Sequence, residues 1–236
     1  YFEAFTRTWD PIEDMRLSDK DANESKTMNT HLHVLEAYTC LYRVWGDGRL
    51  KERLRGLIDI FEQHILGPDG HLKLFFDDDW NCAYDIVSYG HDIEASWLIH
   101  EAALVLGDQQ VLERMLTLVP SVAKAALEGF TPERGMIYEK HGHEGPADGD
   151  RHWWVQAETV VGCLNLWDHF GDQEGLENAL MCWDFIKANL IDREHGEWFW
   201  SLREDGSVNR EDDKAGFWKC PYHNGRMCME ILERVL

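Results

Sequence analysis

His91, Glu94 and Trp97 fall at i, i+3 and i+6 in the run SYGHDIEASW, residues 88–97. If that run opens a helix, the three side chains lie near one face, one turn above the next. An imidazole that titrates near neutrality, a carboxylate able to bias it and an aromatic plate then point the same way. Such a set suits proton transfer on a carbohydrate. Imidazole serves as acid and as base at physiological pH, and an indole offers a flat apolar face to the C–H face of a sugar. Related groupings recur along the chain. Asn29 and His33 are one turn apart, Trp154 and Glu158 are one turn apart, and Trp218 precedes His223 by five residues.

The elements that must position these residues read as helices. Apolar residues at 3.6-type spacing predict helices over 29–45, 50–66, 91–106, 109–128, 153–170, 176–190 and 222–235. Gly-Asp pairs near 46, 107 and 171 punctuate alternate helices, as short helix–helix turns do. After each pair comes a segment that opens on Gly: 70–76, 135–140 and 196–202. These read as short β-ribbons or extended loops. Aligning the helix starts at His33, His91, Trp154 and His223 gives a unit of roughly 60 residues, a period that signals stacked helical pairs. In a ring of such pairs the inner helices bring their N-terminal ends to one pocket, and the chemically interesting residues sit near those ends.

Composition narrows the partners. The chain has 236 residues, enough for one large domain, and a formal charge of −21. An acidic surface repels nucleic acid and anionic membranes, so neither is expected as a partner. No apolar run approaches the roughly 20 residues of a membrane span. The six cysteines show neither CxxC nor zinc spacing, so no metal is expected, and they read as thiols of a reducing compartment. With no secretory signal at the start, the expected location is the cytoplasm. Eleven tryptophans favour a carbohydrate ligand.

Four motifs in order identify a resemblance. MNTHLHVLEAY (28–38), GHDIEASW (90–97), WWVQAE (153–158) and KAGFWKCPYHN (214–224) resemble the N-acylglucosamine 2-epimerase family, and within it the cellobiose 2-epimerase branch. The likeness runs from WDPIEDM at residue 9 to the C-terminus. It implies an all-α (α/α)6 toroid of twelve helices, of which seven or eight are expected here. The whole of 1–236 would then be one barrel domain lacking its N-terminal third, including a family active-site arginine. Helix faces left unsealed by that absence would favour self-association. By the same resemblance His91 and His223 are the acid/base pair across C1–C2, and His33 is a third histidine near the C1 oxygen. Asn29, Glu94 and Glu158 would bind hydroxyls or orient a histidine. Trp97, Trp154 and Trp218 would form walls. No cofactor is implied. The reaction is epimerisation at C2 of the reducing glucose of a β-1,4-linked disaccharide such as cellobiose or lactose, through an enediolate.

Other readings of the same residues are a monosaccharide aldose–ketose isomerase, a glycoside hydrolase using Glu94 and Glu158 as its two carboxylates, and a non-catalytic sugar-binding fragment. His31, two residues from His33 and on another helical face, reads as structural. His141, His143, His152 and His195 lie in or beside ribbons and carry no assigned chemistry, and the acidic runs at 77–79 and 211–213 read as solvated loops.

Overall fold

Each helical hairpin turns on the Gly-Asp device. The computed structural model describes residues 1–18, 21–142 and 145–235, with backbone alone at 145–147 and 235. His143 lies outside the described residues. Helix α1 (Met28–Val44) is followed by α2 (Gly48–Ile60), α3 (Tyr89–Leu106) by α4 (Gln109–Ala126), α5 (Trp153–Phe170) by α6 (Gln173–Asn189), and α7 (Tyr222–Val235) comes last. Gly107 and Gly171 take positive φ, 65° and 69°, and end α3 and α5 in the left-handed conformation open to glycine. The aspartates then cap the next helix. Asp47, Asp108 and Asp172 each accept from two first-turn N–H groups, of α2, α4 and α6 respectively. Gly46 needs no positive φ, so its hairpin turns without that requirement.

Helix boundaries follow the apolar periodicity, with α2, α3 and α6 each starting two or three residues early and with changes of geometry at two C-termini. The helix expected to reach Leu66 leaves α-geometry at Ile60 and ends in a wider turn over Phe61–Ile65. The helix expected to reach Glu128 ends at Ala126 and tightens into a 3₁₀ turn over Leu127–Gly129. Such tightening is a common way for a last turn to pair its orphan carbonyls.

The Gly-led segments are the ribbons. Among them β2 (Phe75–Phe76) pairs antiparallel with β1 (Lys26–Thr27), just before α1. Short strand β3 (Ile86–Ser88) precedes α3. Strands β4 (Phe130–Thr131) and β5 (Gly135–Met136) form one hairpin, and β6 (Glu139–His141) with β7 (Gly145–Asp148) another. Strand β8 (Arg151–His152) pairs with β9 (Ser201–Leu202), just before α5. One contact repeats. The first residue of α1, α3 and α5 donates its backbone N–H to a ribbon carbonyl: Met28 to Leu74 at 2.8 Å, Tyr89 to Tyr138 at 3.1 Å, and Trp153 to Trp200 at 2.9 Å. The ribbons therefore fix where these helices start, and the candidate site residues on them lie in the following two to three turns.

Two compact units are formed, Tyr1–Val87 with Leu98–Met115, and Ser88–Trp97 with Leu116–Leu236. In the first, α1 buries Met28, Leu32 and Leu35, and α2 buries Leu50, Leu54, Leu57 and Ile58. Each fully buried Leu or Ile is worth roughly 1.5–3 kcal/mol relative to exposure. In the second, every residue of α5 from Trp153 to Leu166 is buried, as in a helix surrounded on all sides. Helix α6 buries only one face. Ile93, Ala123, Ala126 and Leu166 form a core cluster here, with Leu127 and Phe170 packed against it.

Candidate active site

The second unit gathers His91, Glu94 and Trp97 from α3, Trp154 and Glu158 from α5, and His223 from α7. Both imidazoles pack on the Trp154 ring, His91 with its centroid at 4.8 Å and His223 at 5.3 Å. Trp154 can reach both because it sits at the second position of α5, directly after the ribbon contact that starts the helix. Tyr138 meets the same indole edge-on at 5.6 Å.

Each histidine is held through Nδ1. His223 Nδ1 lies 2.7 Å from Glu158 Oε1 and 3.8 Å from Glu94 Oε1. A carboxylate can only accept, so Nδ1 of His223 carries the hydrogen and Nε2 is left to act. His91 Nδ1 lies 2.8 Å from the Ser88 hydroxyl.

The group that organises the carboxylates was not among the residues expected from sequence. Arg226 Nη2 donates to Glu94 Oε1 at 2.6 Å and to Glu158 Oε1 at 2.8 Å. Its guanidinium lies 4.9 Å from the Trp97 ring centroid and 4.4 Å from that of Tyr222, and Nη1 donates to the Tyr222 hydroxyl. Two carboxylates that are each 1 % exposed would repel strongly without that cation. Burial alone pushes the Glu158 carboxyl up, but the Arg226 guanidinium and the His223 hydrogen bond outweigh it and hold Glu158 below the usual carboxylate range. The signal in the sequence was the i, i+3 spacing of His223 and Arg226 on α7, which puts both on one face.

Trp97 differs from the wall expected of it. It is buried to 1 % exposure, and its Nε1 donates to Glu158 Oε2 at 2.9 Å. It anchors the carboxylate through Nε1, and its ring face is taken by the Arg226 guanidinium. Glu94 Oε2 is buried and, among the described residues, has no hydrogen-bond partner.

Trp218 is half exposed and meets Phe217 edge-on at 4.9 Å. Its segment is tied down by Lys219, whose buried ammonium donates to Glu197 Oε1 at 3.0 Å, where Asn224 of α7 also donates at 2.9 Å. Asn29 and His33 lie one turn apart on α1, in the first unit. His33 Nδ1 is 3.2 Å from Glu36 Oε2, and its ring remains partly open. His31 is fully buried with Nδ1 2.6 Å from the Thr27 carbonyl, a structural residue.

Among the described residues, two clusters have ligand atoms close enough for a cation: Glu94, Glu158 and His223, and Asp148, Asp150 and His152. In the first, Arg226 already bridges the carboxylates. In the second, Asp150 is engaged by the Ser201 hydroxyl and the Glu204 N–H.

The family model described as N-acylglucosamine 2-epimerase (GlcNAc 2-epimerase) matches residues 3–225. The chain belongs to that family. It is 63 % identical over 233 residues to a cellobiose 2-epimerase of Bacteroides fragilis, covering 98 % of this chain and 59 % of that protein. It is 42 % identical over 240 residues to the cellobiose 2-epimerase of Ruminococcus albus, covering 99 % and 60 %. The structure of a sugar epimerase from a ruminal bacterium superposes with a TM-score of 0.93 at 38 % identity, covering 100 % of this chain and 61 % of that one. The fold is thus of the expected all-α hairpin type, and the chain spans about three-fifths of the length of these relatives.

Proposed function

We propose that this chain carries the proton-transfer site of a sugar 2-epimerase acting on the reducing-end glucose of β-1,4-linked disaccharides such as cellobiose or lactose. The observation that carries the reading is the pair of imidazoles on one indole, each tethered by Nδ1. The relatives named cellobiose 2-epimerase support the substrate class.

In the reaction the sugar ring opens to the aldehyde. One histidine Nε2 removes the C2 proton, and the C–H electron pair becomes the C1=C2 bond of an enediolate whose charge rests on O1. The other imidazole, protonated, returns a proton to C2 on the opposite face. Trp154 provides the floor between them, and Glu94 Oε2 accepts from a sugar hydroxyl. Asn29, His33 and Trp218 keep the sugar-contact roles that the family resemblance implies. Hydrogen-bond donors at O1 and O2 lower the barrier because charge develops there. All six cysteines are free thiols, which supports a reducing, cytoplasmic location. No helix among the described residues is long and apolar enough to cross a membrane.

Proton NMR of the protein with cellobiose in D2O tests the function. Deuterium at C2 of the reducing glucose, with a new mannose-type anomeric signal, is expected. Deuterium at C1 of a ketose instead would make the enzyme an aldose–ketose isomerase. Release of free glucose would make it a hydrolase, and no change would leave a sugar-binding fragment.

A further inference from the structure

We propose that Ser88 is the positioning residue of His91, accepting its Nδ1–H so that Nε2 presents a lone pair to the sugar. The assignment rests on reading His91 as an acid–base group. Ser88 Oγ lies 2.8 Å from His91 Nδ1, and Ser88 is fully buried. It ends β3 and immediately precedes α3, three residues ahead of His91, the spacing at which an N-cap residue and a first-turn side chain meet. The next residue, Tyr89, is held by the Tyr138 carbonyl. The hydroxyl therefore sits on a fixed backbone rather than on a mobile loop.

The chemistry determines which way the hydrogen must run. To take a proton from carbon, Nε2 needs its lone pair, so the hydrogen of the neutral ring must be on Nδ1, and the group facing Nδ1 must accept. Glu158 does this for His223. At His91 the acceptor is a hydroxyl oxygen, which has two lone pairs and no charge. When Nε2 takes the C2 proton, the C–H pair passes into the enediolate and the ring becomes imidazolium. Its Nδ1–H stays on Ser88 throughout, so the ring need not turn between the two protonation states. A serine thus does at one histidine what a carboxylate does at the other, without placing a third anion beside Glu94 and Glu158.

The test is nitrogen-15 spectroscopy of the histidine side chains in the intact protein, compared with Ser88→Ala and Ser88→Thr. In wild type and in Ser88→Thr, neutral His91 is expected as the Nδ1–H tautomer. In Ser88→Ala, where the Ser88 hydroxyl no longer faces Nδ1, a mixture of tautomers is expected. Turnover of cellobiose by Ser88→Ala falls about tenfold, the lower end for loss of a partner that orients an imidazole, with KM within about twofold and most of the rate restored by Thr. A wild-type His91 found as Nε2–H, or the same tautomer in Ser88→Ala as in wild type, overturns the assignment whatever the activity. If the tautomers behave as stated but no variant or wild type moves deuterium into C2, the hold on the ring stands and the epimerase reading fails.

Discussion

At the residue scale, Arg226 decides whether the site can exist. Its Nη2 is shared by two buried carboxylates, one of which also holds His223. Arg226→Met leaves those carboxylates facing each other without a counter-charge. Breaking a buried pair in this way costs about 3–5 kcal/mol, which urea melting will read. Deuterium incorporation at C2 should fall about 100-fold or more, because preorganised charge is removed where the reaction needs it. Arg226→Lys keeps the charge but not the fork, and should fall between. A variant that melts and exchanges like wild type would reduce Arg226 to packing. Glu158 gives a pH signature as well. Its carboxyl is held below its ordinary value of 4.5 by Arg226 and His223 against the push of burial. Its contribution is complete above that ordinary value and is lost as pH falls through the depressed one. Acid unfolding below about pH 4.5 should therefore be steeper for wild type than for Glu158→Gln.

At the element scale, α3 and α5 meet at a glycine. A Cβ at Gly90 would come within 2.7 Å of Trp154 Cη2 and of Val155 Cγ2. Gly90 needs no unusual φ; it is small so that the start of α3 can lie against the indole that both histidines use. Gly90→Ala must move Trp154 or α3, at a cost of about 1–3 kcal/mol typical of overpacking. If the displaced ring is the floor of the site, as proposed, exchange at C2 should fall more than the thermal midpoint suggests. Normal exchange with a lowered midpoint would separate the two roles. On α1, burial leads in pushing the His31 imidazole down to about 4 from 6.5. The folded chain refuses a proton that the unfolded chain accepts between those values, so stability declines as pH falls through that window. Urea midpoints at pH 7.5 and 5.0 should drop further for wild type than for His31→Asn, and equal drops would assign the acid sensitivity elsewhere.

At the scale of the molecule, apolar side chains remain uncovered. Val44 is 84 % exposed and Trp45 53 %, with Leu41 beside them at the end of α1. Met229 and Leu232 stand exposed on α7. Faces of this kind bind other protein. A polypeptide of these 236 residues should self-associate in sedimentation velocity at micromolar concentration, and Val44→Lys with Trp45→Ser should shift it towards monomer. A sharp monomer boundary at every concentration would dispose of the idea.

The seven α-helices among the described residues, their Gly-Asp turns and the Gly-led ribbons were legible from sequence alone, because helix period, left-handed glycine and aspartate caps act within a few residues of each other. The i, i+3 placement of His91 and Glu94 on α3 was legible for the same reason, but the partners they take, Ser88 for His91 and Arg226 for Glu94, were not. Tertiary structure decided the rest. Trp97 has the same type and spacing whether it lines a pocket or is buried, and only packing turned its Nε1 onto Glu158. Arg226 lies 132 residues from Glu94 and 68 from Glu158. Spacing on α7 marks it as a neighbour of His223, but no local rule says which carboxylates it will meet. Partners brought together by long-range folding leave no periodicity, and the charge balance of a buried site is set by those partners.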